Sequence, residues 1–466
     1  MRKLIFVCTL FTFALALTVH AVDPREMSFP PLKFQPPEPV RFVTDNGMVV
    51  FFLEDHQLPI LTAVAFLHGG SSYDPPGKAG LAEITAQLLR SGGAGQRSPE
   101  QVDEDLDFVA TRISSGASRD ELTLSLNAMR KDAELAFEIL SDMVISPGFD
   151  TGKVSLELSN KAEEIRRQND EPARVTRRIY YQTVYTGHPY GVYPTLASIG
   201  NISREDILSQ HRKYYAPDNC ILAVSGDMTL DEIKALVNKY LGRWQKSGMQ
   251  IQTPAMATMQ YMPGVYYVDR DVNQANIRLG HLSMDIKNPD RHAMDVMNFI
   301  LGGGFVSRMA SQVRTTAGLA YSVGSYSYNR PLMGTFFAYC MTRADAMARA
   351  TRMIMDIISE VKENGITAEE MDLGKESIIN SFVFNYDTPG KIATAQAYLE
   401  FYQFPPDQLE KDVEALQAVT LEDCKRVAQK YLSPDKLAIV IVGNKEMFDQ
   451  PPDTFGPVME VSLEKE

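Results

Sequence analysis

The sequence predicts an α+β fold laid down twice: two duplicated domains, each a largely antiparallel sheet with helices packed on one face. Three observations predict it. The chain has 466 residues, too many for one hydrophobic core, so roughly two to three domains are expected. In each half strand-like runs come first, helical runs follow, and a helix then feeds a last strand, which is the order of an α+β layer architecture. The third observation is an internal repeat. Ile202-Ser-Arg-Glu-Asp, Lys213-Tyr214, Pro217-Asp218 and an apolar run closing at Gly226 return as Val419-Thr-Leu-Glu-Asp, Lys430-Tyr431, Pro434-Asp435 and a run closing at Gly443, each 217 residues later. Constant spacing across separate landmarks marks a duplicated unit, here of about 200 residues.

The expected division is a signal peptide at 1–21, a Pro-rich arm at 22–40, a first domain at 41–243, a linker at 244–263, a second domain at 264–446 and a tail at 447–466. Arg2 and Lys3 precede the apolar run Leu4 to Leu17, and Val19-His20-Ala21 offers a small-residue cleavage signal. No cysteine follows that run at a lipid-attachment position, and no later apolar stretch reaches the ~18 residues of a membrane span. The expectation is therefore a soluble exported protein, in the periplasm, with an uncleaved anchor as the competing reading.

Pro30-Pro-Leu-Lys-Phe-Gln-Pro-Pro-Glu-Pro prefers extended polyproline geometry, so it reads as an arm. Gly47 to Glu54 and Leu61 to Leu67 read as adjacent strands joined by a turn. Gly80 to Gly93 reads as a helix, since Leu81, Ile84, Leu88 and Leu89 recur at helical spacing. Ser98 can cap a second helix, with Pro99 at its first position and Gln101 three residues on. Arg112 to Gly116 and Glu121 to Asn127 alternate as strands, with Leu122, Leu124 and Leu126 on one face. Helices are expected at 131–145 and from 151 to about 170, the latter placing Glu157 and Glu164 on one face.

Net charge excludes one class of partner. With 46 basic and 59 acidic residues the balance is −13, and no basic run interleaves with aromatics, so nucleic acid is not expected. Cys8 lies in the signal segment, which leaves Cys220, Cys340 and Cys424. They are odd in number, far apart and in apolar contexts, so buried thiols are expected, with a single disulfide left open.

The residues that could carry chemistry centre on the first helix. Zinc requires imidazole, thiolate or carboxylate groups, and a helix supplies two of them at i and i+4. Glu83 and Gln87 have that spacing, but a carboxamide is a poor ligand, and Ala86 between them cannot act as a base. Read alone, the segment is an amphipathic core helix with two polar surface residues. The seven histidines offer no substitute, because no two are three or four residues apart. His188 in His-Pro-Tyr-Gly reads as a turn residue. Gly302-Gly-Gly304 lacks the Lys-Ser/Thr of a phosphate loop and reads as a helix junction.

The segment Phe305-Val-Ser-Arg308-Met-Ala-Ser-Gln-Val-Arg314-Thr-Thr-Ala-Gly-Leu-Ala-Tyr321-Ser322-Val323 is more specific. With Gly80 to Gly93, His188-Pro-Tyr-Gly and the duplication, it resembles the pitrilysin and insulinase type of zinc metallopeptidase, the family that includes mitochondrial processing peptidase. The likeness spans roughly residues 40 to 445, and it implies that the two domains form half of a clam shell. In that family the zinc helix carries His-x-x-Glu-His. The two histidines fall here on Glu83 and Gln87 and the general base on Ala86. The third ligand falls on Glu164, 77 residues after Gln87. One of the three ligand positions survives and the base is gone.

The resemblance also implies a substrate strand added to a sheet edge near Ser114, Ser115, Gly116 and Ala117, where Ser-Ser-Gly departs from the usual Asn-Ala. Arg314 and Tyr321, seven residues apart, match the family's pair that reaches the zinc site of the other half. There the tyrosine can donate to an oxyanion and the arginine can hold a substrate carbonyl. Outside that motif they would read as a surface ion pair and a packed strand residue.

The reading that results is a non-zinc-binding subunit of an exported heteromeric zinc metallopeptidase, with no cofactor of its own and inactive alone. Zinc would reside in a homologous partner with an intact motif, and the substrate would be a peptide or an unfolded polypeptide. The alternative is a catalytically inactive peptidase fold that binds peptides or scaffolds a complex. An autonomous zinc enzyme would lack both imidazoles and the base.

Overall fold

Alternating burial builds the first sheet. In the computed structural model, which describes residues 34–463, Leu61, Ala63, Ala65 and Leu67 of β3 (Ile60–His68) turn to the core, as do Leu122, Leu124, Leu126 and Ala128 of β5 (Glu121–Met129). The expected signal peptide and most of the Pro-rich arm lie outside the described residues. The other strands are β1 (Val40–Val43), β2 (Val49–Glu54), β4 (Arg112–Ala117) and β6 (Cys220–Gly226), in the order β1-β2-β6-β3-β5-β4. The expectation that β2 and β3 are neighbours is wrong. β6 lies between them, parallel to β2 and antiparallel to β3. Its side chains are buried on both faces, so its stable place is the middle of the sheet.

The second sheet repeats the plan. It comprises β7 (Gly264–Asp269), β8 (Gln274–Leu282), β9 (Ala320–Tyr328), β10 (Thr335–Arg343), β11 (Ala438–Gly443) and β12 (Val458–Glu460), ordered β12-β7-β11-β8-β10-β9. β11 stands where β6 stands, parallel to β7 and antiparallel to β8. The segment expected to be a tail contributes β12, which pairs in parallel with β7.

Helices α1 (Leu81–Ser91), α2 (Pro99–Phe108), α3 (Ala133–Ile145), α4 (Thr151–Arg166), α5 (Pro172–Val184), α6 (Leu196–Gly200), α7 (Arg204–Tyr214) and α8 (Leu230–Leu241) precede β7. After β8 come α9 (Arg291–Asn298), α10 (Met347–Asn364), α11 (Ala368–Phe382), α12 (Pro389–Phe401), α13 (Gln408–Ala418) and α14 (Leu421–Tyr431). The landmarks of the repeat turn out to be helix starts. Ser203 and Asp206 form a capping box at α7, and Thr420 and Asp423 form the same box at α14. The expected box at Ser98 and Gln101 opens α2. Helix α4 ends at Arg166, about one turn earlier than its periodicity suggests, because the following Arg, Gln, Asn and Asp have nothing apolar to bury.

Each sheet carries its own helices on one face, sealing one core around Ile84 and Phe137 and another around Met297 and Ile354. The opposite faces are closed reciprocally. Val175, Ile179, Tyr180 and Val184 of α5 pack on Phe337, Ala438 and Val440 of the second sheet. Ala393, Ala397 and Phe401 of α12 pack on Phe51, Phe66 and Ala223 of the first. Small residues let α12 approach closely, and a Cβ on Gly390 would meet Thr62 Oγ1 at 3.1 Å. Residues 245–263 have no regular element, although Ala257 and Tyr261 are buried. Cys220, Cys340 and Cys424 are buried free thiols.

Candidate functional site

Helix α1 starts at Gly80, whose φ of +103° and close approach to Ile199 admit no side chain. The Asp74 carboxylate accepts the N–H groups of Gly80 and Ala82, both at 2.8 Å, and so holds the helix N-terminus in place. Burial raises this carboxyl to about 6 in spite of those bonds.

The three positions singled out on α1 do not share one polar face. Ala86 is fully buried, Gln87 is exposed, and Glu83 is half-buried. Glu83 is not a lone surface residue. Its Oε1 accepts from Lys161 Nζ at 2.8 Å, and the same ammonium donates to Glu164 Oε2 at 2.8 Å. Helix α4 thus returns to α1 and places Lys161, three residues before Glu164, between the two surviving acids. Burial opposes the charge on Lys161, but Glu83 and Glu164 outweigh it and its pKa is raised. Glu157, one turn earlier, is pushed up by burial, with Glu83 and Glu164 adding to the effect.

This donor set does not fit zinc. A metal would need a third imidazole or carboxylate where Gln87 offers an amide, and an ammonium already bridges the two carboxylates. Among the described residues no three His, Cys, Asp or Glu side chains are arranged to hold a metal ion. Sequence reasoning missed Lys161; its helical offset from Glu164 was visible, but its contact with Glu83, 78 residues away, was not.

The cluster opens into a chamber of about 1150 Å³. Glu83, Lys161 and Glu164 line one end, and Arg278, Tyr326 and Arg330 of the second half line another. Strand β4, which carries Ser114, Ser115, Gly116 and Ala117, is the edge strand of its sheet. Its register is fixed by pairing to β5, and Ser114 Oγ lies 2.7 Å from Ser125 Oγ. Ala117 reaches the chamber, whereas Ser114, Ser115 and Gly116 are not among its lining residues.

Arg314 and Tyr321 are not brought to this cluster. Arg314 sits in a π-helical stretch, Ala310–Thr316, and Tyr321 near the start of β9, the edge strand of the second sheet. Neither lines the chamber. Tyr321 is 77 % exposed, not packed, and among the described residues no carboxylate pairs with Arg314. The simpler reading of the two as a surface ion pair and a packed tyrosine therefore fails. His188 does act as a turn residue: its Nδ1 accepts the Tyr190 N–H at 3.1 Å while Nε2 meets the Ala255 carbonyl at 2.8 Å.

The family model described as Insulinase (Peptidase family M16) matches residues 49–193, and that described as Peptidase M16 inactive domain matches residues 201–378. An uncharacterised zinc protease of Bacillus subtilis is 22% identical over 400 residues, covering 85% of this chain and 96% of that protein. Another, of Mycobacterium tuberculosis, is 25% identical over 359 residues, covering 76% and 82%. The crystal structure of a peptidase M16 inactive domain from Pseudomonas fluorescens superposes with a TM-score of 0.82 at 24% identity, over 89% of this chain and all of that one. A protease from Helicobacter pylori gives 0.80 at 21% identity, over 88% and all.

Proposed function

Because the chain belongs to the peptidase M16 family, we propose that it is the zinc-less subunit of an exported heteromeric metallopeptidase, completed by a homologous partner that carries zinc, its ligands and the general base. The Lys161 bridge carries this reading. An ammonium held by Glu83 and Glu164 supplies the positive charge those carboxylates need and leaves no reason for a metal there. Arg314, in the π-helical stretch, and Tyr321, on the edge strand β9, stand exposed with no partner among the described residues, as groups serving another chain's site would. In that role Tyr321 donates to the oxyanion of the tetrahedral intermediate and Arg314 holds a substrate carbonyl. Residues 41–243 and 264–446 serve as the two domains, with 244–263 joining them and the segment after 446 adding β12 to the second sheet, and Ser114 to Ala117 serve as the edge that receives substrate. In this reading residues 1–21 act as a leader that directs the protein to the periplasm; among the described residues no helix is long and apolar enough to cross a membrane.

The test uses the mature chain alone and with a partner bearing an intact His-x-x-Glu-His. The chain alone should hold no stoichiometric zinc and cleave no unfolded peptide, while the pair should do both. Tyr321→Phe and Arg314→Ala should each lower the pair's kcat by about 10²-fold. Stoichiometric zinc in the chain alone would refute the reading. The second reading, an inactive fold that binds peptides or scaffolds a complex, is favoured by the match of residues 201–378 to an inactive domain. It prevails if the pair cleaves but both substitutions leave its rate unchanged.

A further inference from the structure

A chamber that holds polypeptide must still select it, and one wall carries a charge unlike that of the whole chain, whose balance is −13. Arg278, on β8 in the interior of the second sheet, lies with its guanidinium 4.2 Å from the Phe337 ring centroid and 5.8 Å from those of Tyr180 and Tyr181. Among the described residues no carboxylate pairs with it. The charged neighbour it feels is a second cation, Arg177 of α5, which is exposed and lines the same chamber.

The acids nearby are already engaged. Glu171 pairs with Arg174 at 2.7 Å and Asp170 with Arg167 at 3.5 Å. Asp120 accepts the Tyr190 hydroxyl and faces Arg330 at 3.7 Å, and Glu121 accepts the Tyr402 hydroxyl. Two guanidinium groups thus line the cavity with no carboxylate pairing either of them among the described residues. Burial lowers the pKa of Arg278, yet a guanidinium stays protonated in a protein, so the cost of desolvating it persists. Aromatic faces offset part of that cost. A planar fork with N–H groups to spare is complementary to a carboxylate, which it binds through two parallel bonds.

We propose that Arg278 and Arg177 form a carboxylate-binding subsite, so that the chamber selects acidic polypeptide. This rests on the reading of the chamber as a peptide-holding space. The carboxylate can come from an Asp or Glu side chain or from a peptide C-terminus, and the test separates the two.

The full mature chain is titrated, by fluorescence anisotropy, with three unfolded peptides of one length. The first carries Asp and Glu with an amidated C-terminus, the second has those residues as Asn and Gln with a free C-terminus, and the third has neither carboxylate. At least one of the first two should bind about ten-fold tighter than the third, and which one does so identifies the source. Arg278→Gln should remove the preference and leave the affinity for the third peptide unchanged. Arg177→Glu, a change at an exposed position that leaves the fold intact, should reverse it. Equal binding of all three peptides, or a preference that survives Arg177→Glu, overturns the subsite while leaving the peptide-holding chamber standing. Failure to bind any of the three overturns both.

Discussion

Lys161 sits where a charge is needed and a metal is not. Lys161→Met would leave Glu83, Glu157 and Glu164 facing one another without a cation. Because Glu83 and Glu164 are partly exposed, with side chains at 44% and 64%, the cost is the moderate one of a half-solvated network, about 1–2 kcal/mol. Denaturant titration measures it, and an unchanged midpoint would show that the bridge is ornamental. The pH dependence has a definite sign. The pKa of Lys161 is raised on folding, so its contribution is full below the ordinary lysine value and is lost as pH climbs past it. The Lys161→Met variant should therefore lose less stability than the parent between neutral pH and about pH 11. Asp74 behaves oppositely to an ordinary paired acid. Its carboxyl rises on folding to about 6, so its protonated form stabilises below the usual Asp range and that gain is lost as pH rises through 6.

At the scale of elements, the duplication makes a paired prediction. The capping boxes at Ser203 and Thr420 have the same partners, Asp206 and Asp423, at the same turn of equivalent helices. Ser203→Ala and Thr420→Ala should each cost about 1 kcal/mol, measured as separate denaturation midpoints, and a large inequality would mean that the two copies no longer depend on these helices alike. The repeat that makes these two helices equivalent was legible in the sequence, and so was the box at Ser98 and Gln101, because capping is local. So were the alternating face of β5 and the equivalence of β6 and β11. The neighbour of β2 was not, because pairing with β6 joins Val49 to Ile221, and nothing local to either strand announces it. β12 is three residues long, too short for alternation to register. At the site, the sequence marked Glu83 and Glu164 but not what joins them: Lys161 reads as one more solvated lysine on a polar helix until α4 folds back on α1. Arg278 and Arg177 were missed for the same reason, since that no carboxylate among the described residues pairs with either is a property of space.

Across the whole molecule, His211 in the first half and His281 in the second, both buried, tie stability to pH. Burial lowers His211 and His281 to about 4, against backbone hydrogen bonds to Val144 and Leu282 that favour the charged form. A histidine held neutral in the fold and free to protonate when unfolded stabilises above its ordinary value of about 6.5 and loses that contribution as pH falls through 4. The two together should make stability fall between about pH 6.5 and 4, by about 3 kcal/mol each at the lower end. A flat denaturation midpoint over that interval would contradict it.

The reciprocal placement of α5 and α12 has a consequence for how the chain can be divided. Neither half is complete without a helix made by the other, so a cut between Gln245 and Gln260 would release two fragments, each with a bare apolar sheet face and a spare helix that fits its sister. Such pieces should be insoluble apart and soluble when made together. The same arrangement is what an exchanged dimer of a one-domain ancestor leaves behind after its two copies are fused end to end: a swap between molecules that became permanent within one.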